Sequence, residues 1–122
     1  MMTTDEIVDQ YCAAWNETEI EVRRNSLASI WTKNGQYIDP RSDLTGLEAL
    51  VQHIEKIQAG RPGATIKRTS SVDVHHHLGR FNWHLQDQTG NVLLEGLDIV
   101  IFSSDLSAIE KIIGFFGPLN AA

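Results

Sequence analysis

Gly96-Leu97-Asp98-Ile99-Val100-Ile101-Phe102 decides how this chain is read. Its β-branched and aromatic residues make it a strand, the end of a longer one predicted over Val92–Phe102. Apart from Asp98, both of its faces are apolar. Residues 112–116 repeat the pattern, with Gly114 alone interrupting Ile112, Ile113, Phe115 and Phe116. A sheet that is apolar on both sides needs two covers. Helices supply one, and a second copy of the chain is the simplest source of the other. The sequence therefore predicts a homodimer packed through the outer sheet face.

The neighbouring segments support a sheet. Residues 80–87 alternate, with Phe81, Trp83 and Leu85 on one face and Asn82, His84 and Gln86 on the other. Gln88-Thr89-Gly90-Asn91 reads as a hairpin turn, residues 103–107 as the next turn and residues 108–116 as the last strand. Residues 64–77 read as extended. The first half reads as helical. Thr3-x-x-Glu6, Thr18-x-x-Glu21 and Thr45-x-x-Glu48 each fit a capping box. They predict helices over residues 4–16 and 19–32, and from Thr45 to a Gly-Pro stop at residues 59–63. Asn34-Gly35 reads as punctuation, and Gln36-Tyr37-Ile38 as a short strand ending at Asp39-Pro40. Helices followed by an antiparallel meander predict an α+β fold with the helices on one face of a curved sheet.

A chain of 122 residues fits one domain, 1–122, with no room for a second core. Its 16 acidic against 10 basic residues give a net charge of −6, which repels phosphate backbones and anionic headgroups. Nucleic acid and membrane surfaces are thus excluded as expected partners. The single cysteine, Cys12, allows no intrachain disulfide. The start at Met1-Met2-Thr3-Thr4-Asp5-Glu6 lacks a signal peptide's basic and apolar regions, and no apolar run approaches the ~20 residues of a membrane span. These features predict a cytoplasmic protein. No P-loop or dinucleotide fingerprint is present.

Asp98 is the most anomalous residue, because aspartate is disfavoured in mid-strand. Burial there raises a carboxyl's pKa, and a neutral carboxylic acid can donate a hydrogen bond to an oxyanion. Pairing with a nearby base or amide is the structural alternative. Asp39, at a strand mouth before Pro40, suits a general base, although Asp-Pro is also a common turn element. Tyr11 lies between Ile7 and Trp15 on an inward helical face, so its buried hydroxyl needs a partner. Asp73, His75 and His77 share one face of an extended segment, opposite Val72 and Val74. They face either solvent or a polar cavity. Zinc-type spacing is absent, and no metal site is predicted.

Gln10-Tyr11-Cys12-Ala13-Ala14-Trp15-Asn16, Tyr37-Ile38-Asp39-Pro40, residues 96–102 and Ile113-Gly114-Phe115-Phe116-Gly117 together resemble the nuclear transport factor 2-like superfamily, of cystatin-like α+β fold. The chain is most similar to its SnoaL-like polyketide cyclase and ketosteroid isomerase branches. The resemblance covers about residues 5–117. It implies three helices against a strongly curved, mostly antiparallel sheet, forming a cone with a central pocket, commonly as a dimer. It implies acid-base chemistry α to a carbonyl of a small apolar ligand, without metal or nucleotide cofactor. Tyr11 and a protonated Asp98 would form the oxyanion hole, within hydrogen-bond reach of each other, with Asp39 across from them as base. Trp15, Tyr37, Asp73, His75 and Trp83 would line the ligand site. A non-catalytic ligand-binding or dimerisation module of the same fold is the alternative. The resemblance to the limonene epoxide hydrolase branch implies water activation by Tyr37, Asp39 and Asp73, but Ser71 stands where that branch has an arginine.

Overall fold

The structure is a computed structural model that describes residues 1–122. Three helices, α1 (Thr4–Asn16), α2 (Ile20–Ala28) and α3 (Leu47–Gly60), accompany seven strands. The strands are β1 (Trp31–Asp39), β2 (Ser42–Thr45), β3 (Thr65–Arg68), β4 (Asp73–His75), β5 (Leu78–Gln86), β6 (Val92–Phe102) and β7 (Ile109–Phe116).

Only the first capping box forms. The Glu6 amide donates to Thr3 Oγ1 at 3.1 Å and the Thr3 amide to Glu6 Oε1 at 2.9 Å, which fixes the start of α1. Helix α2 instead starts behind Glu19 and α3 behind Gly46, neither with a side-chain cap. The carboxylates of Glu21 and Glu48 both bind Arg24. A charge-assisted pair to a guanidinium outcompetes a neutral capping bond.

Helix α2 is also shorter than expected, and residues 31–39 form one strand. Trp31 pairs with Ile109 of β7, and the Ile109 amide donates to the Ile30 carbonyl at 2.6 Å. The Asn34-Gly35 pair lies inside this strand, where the register shifts between Trp31 and Gln36. Gly35 sits beneath the Trp31 indole, and any side chain there would overlap the ring. Thr45 closes β2, which pairs with β1 from Gln36↔Thr45 to Asp39↔Ser42. The extended segment 64–77 is broken into β3 and β4, each paired with a different part of β5.

The sheet order is β2-β1-β7-β6-β5-β3, with β4 also on β5, and every pair is antiparallel except β1 with β7. The strongly curved cone implied by the resemblance is not formed. The sheet is open, and its two outermost strands, β2 and β3, are four residues each and do not meet. Helix α1 packs against β3, α3 against β1 and β2, and α2 against the other two helices. No helix is long and apolar enough to cross a membrane.

The helical layer is pinned by Arg23, which is 0% exposed. Its guanidinium donates to the Glu17 carbonyl at 3.0 and 2.7 Å, to Gln58 Oε1 at 2.7 Å and to Glu55 Oε2 at 2.8 Å. One side chain thereby satisfies the end of α1 and ties α2 to α3. Removing it strands buried acceptors, which is strongly destabilising. Arg23→Met is expected to lower the unfolding free energy by about 3 kcal/mol in urea titration. Arg24→Met, which breaks only exposed pairs, is expected to change it far less.

Candidate active site

A cavity of about 110 Å³ opens between α1, α3 and the inner face of the sheet. Tyr11 and Trp15 reach it from α1, Tyr37 and Asp39 from β1, Trp83 from β5 and Asp98 from β6. These six of the residues singled out in the sequence therefore converge. Asp73 and His75 do not line it. They are exposed on β4, where Asp73 accepts from Arg80 Nε at 2.9 Å and His75 Nδ1 lies 3.0 Å from His76 Nδ1. Their shared face is the solvent side of the strand, and they do not gather with His77 into a set of metal ligands.

Asp98 points inward from an apolar strand and is only 6% exposed. Trp83 pairs across the strands with Gly96, two residues before it. A side chain at Gly96 would overlap the indole, so its absence lets the ring lie over the sheet. The indole Nε1–H then donates to Asp98 Oδ1 at 2.9 Å. Burial pushes the Asp98 carboxyl up to about 7; the Trp83 hydrogen bond opposes this and the charge of Asp39 adds to it.

Asp39 approaches from the other side of β7. Asp98 pairs with Gly114, and Ile38 pairs with Ile113, which places Asp39 beside the same glycine. A Cβ on residue 114 would stand 2.9 Å from Asp98 Oδ1 and 3.5 Å from the Asp39 Cβ. Gly114 is thus the gap through which two carboxyl groups from separate strands share one cavity. Both Asp39 oxygens are engaged: Oδ2 accepts from the Tyr37 hydroxyl at 2.6 Å and Oδ1 from the Arg41 amide at 2.8 Å. Burial first, then the bond to Asp39, hold the Tyr37 phenol far above its ordinary value, so it remains a donor.

The Tyr11 ring stacks on Trp31, with centroids 6.1 Å apart and planes 11° apart, and meets Trp15 edge-on. Burial, and next the charge of Asp98, push its hydroxyl well above the usual phenol value. Tyr11 and Asp98 are not hydrogen-bonded to each other; the partner on Asp98 is the Trp83 indole. Cys12 also lines the cavity, where burial raises its thiol to about 12 and leaves it an inert wall.

Arg41, His53, Ile57 and Arg61 are among the lining residues that the sequence did not mark for the site. His53, Ile57 and Arg61 follow one another at intervals of four along α3 and its end, a helical face that turns toward the cavity. His53 is half-buried, with its ring 5.8 Å from Trp15 and 5.5 Å from Tyr37, and burial lowers its pKa. Arg41, which follows Pro40, holds its guanidinium 5.7 Å from the centre of the Phe116 ring. The i, i+4 spacing on α3 was a usable signal for His53 and Arg61. Nothing local marks Arg41.

No protein-family model and no curated protein matches the chain. Solved structures do. A candidate isomerase of the SnoaL-like family from Agrobacterium tumefaciens str. C58 is 30% identical, covers 96% of this chain and 100% of its own, and superposes with a TM-score of 0.88. A protein of ketosteroid isomerase-like fold from Catenulispora acidiphila, bound to trimethylamine, is 17% identical with a TM-score of 0.75 over 94% of this chain and 88% of its own. A candidate SnoaL-like polyketide cyclase from Jannaschia sp. CCS1 is 11% identical with a TM-score of 0.68, over 90% and 84%. The last two carry the likeness of fold alone. With its fold and nearly its whole length shared at 30% identity with the first of these, the chain belongs to the SnoaL-like family.

Proposed function

We propose that the protein is an acid-base enzyme that moves a proton α to a carbonyl on a compact apolar substrate. The observation that carries this reading is the pair of carboxyls on either side of Gly114, held in unlike environments. Asp98, buried and raised to about 7, retains a proton to donate. Asp39, with both oxygens accepting hydrogen bonds, is equipped as the acceptor. Paired titratable groups kept unlike by their surroundings are how one site supplies an acid and a base together.

In the reaction, Asp39 takes the proton from the carbon next to the carbonyl. Negative charge develops on the carbonyl oxygen, where the neutral Asp98 and the Tyr11 hydroxyl donate to it. Asp39 then returns the proton to the same or a conjugated carbon, which makes the step an exchange or an isomerisation. Two donors fixed in a water-poor cavity are worth a few kcal/mol of transition-state stabilisation. The cavity, about 110 Å³ against the ~300–1,000 Å³ of common ligand sites, suits a single small ring and not a fused four-ring steroid.

The protein also acts as a homodimer in this reading. One row across the outer face runs Arg80–Ile99–Ile113–Ile38–Asp43, with Leu97 and Ile101 beside it on β6 and Phe115, 55% exposed, on β7. An apolar centre with charged ends is the pattern of a two-fold, self-complementary interface.

Asp39→Asn is expected to slow deuterium wash-in to cyclohexanone at least ~100-fold while ketone binding persists. NMR exchange rates that match the wild type would reject Asp39 as the base. Because the folded pKa of Asp98 lies above the unfolded value of 3.8, the folded state keeps its proton longer. Its contribution is greatest below that unfolded value and declines as pH rises through about 7, by on the order of 4 kcal/mol in all. Asp98→Asn should therefore gain stability relative to the wild type between pH ~4 and ~8 in urea titrations, whereas a constant difference would contradict a buried neutral acid. Sedimentation equilibrium at micromolar concentration is expected to give a dimer, and Ile99→Glu a monomer.

A further inference from the structure

The chain has six arginines, and four of them hold carboxylates: Arg23 with Glu55, Arg24 with Glu21 and Glu48, Arg68 with Asp9, and Arg80 with Asp73. The two without a carboxylate partner, Arg41 and Arg61, both line the same cavity. In a chain of 16 acids and 10 bases, a guanidinium has carboxylates to spare, so two left unpaired at one site are a conspicuous exception. Both are exposed as well as lining, which sets them at the open side, while Asp98 lies at the buried side. They come from different elements, Arg41 after β1 and Arg61 at the end of α3. Arg41 is steadied over the Phe116 ring, and such a contact leaves its in-plane N–H donors free.

We infer that the ligand of this site carries a carboxylate, held at the rim by Arg41 and Arg61, with its apolar ring directed inward between Trp15, Tyr37 and Trp83. Arginine presents a planar fork of donors that matches a carboxylate in two-point contact. Charge also fixes the direction of entry. A carboxylate pushed inward meets Asp39 and an apolar wall; at the rim it meets two guanidiniums and water. The uncharged end therefore goes to Asp98. This deepens the proposed function by naming its substrate class, and it rests on that reading only for what happens at the inner end.

The test is a matched pair of small-ring probes, benzoate and the uncharged benzamide, titrated against the full chain by NMR at low and moderate salt. The wild type is expected to bind benzoate at least tenfold more tightly than benzamide, with the advantage shrinking as salt rises. Arg41→Gln and Arg61→Gln should each reduce that preference several-fold, and the double variant should abolish it while still binding benzamide, which reports an intact cavity. Equal affinity for the two probes, absence of benzoate binding, or a preference that survives the double variant would overturn the inference. No proton transfer occurs with either probe. A failed benzoate preference therefore leaves the Asp39 exchange result standing, and a failed exchange leaves the preference standing.

Discussion

The parallel pairing of β1 with β7 is the constraint on which the site depends. It is the one parallel pair in the sheet, and it lays the strand that follows the first two helices beside the last strand of the chain. Through it Asp39, Tyr37 and Arg41 reach a cavity whose other wall is built by β5 and β6. Parallel neighbours need a long crossover, and here the crossover is nearly the whole of the remaining chain. The helices cover the inner face because they lie on either side of β1 in sequence, and Arg23 locks them to one another.

Within that frame, the proposed chemistry draws on two carboxyls kept unlike. Asp98 is surrounded by apolar side chains and one indole donor, an environment that favours its neutral form. Asp39 stands at a strand end among a phenol, a backbone amide and nearby solvent. Glycine serves both. At position 96 it admits the indole that orients Asp98, and at position 114 it leaves the two acids facing one space. A side chain at either position would obstruct the site without touching a ligand.

The meander was legible because its strands follow a simple period: the alternation of Phe81, Trp83 and Leu85, and the run over Val92–Phe102, need no long-range information. Helix α1 was legible because its capping box forms. Most of the errors arise where a contact outside the local pattern decides the conformation. Thr18 and Thr45 fit a cap, but Glu21 and Glu48 are drawn to Arg24. Asn34-Gly35 fits a turn, but the Trp31 ring fills the space over Gly35 and β7 supplies hydrogen bonds. The cone followed from family likeness, and the two short outer strands leave the sheet open instead. Of the site, Tyr11, Asp39 and Asp98 stood out as local anomalies and do share a cavity. For Asp73 and His75 the pattern gave the common face, but only the pairing of β4 with β5 decides which way that face looks. Arg41 had no local signature, because its role comes from Phe116 across the fold.

Gly114 has a consequence for how such a protein can change. Asp39 and Asp98 sit on strands that both hydrogen-bond β7, so their backbones are two strand spacings apart, roughly 9–10 Å. The span between the two carboxyl-bearing residues is thus a gauge set by peptide geometry. Substitutions at the rim, or longer loops around it, leave that gauge untouched. The lining of the rim and the spacing of the two carboxyls are therefore separable properties of this chain, the first free to drift at exposed positions while the second is held by hydrogen bonds in the middle of the sheet.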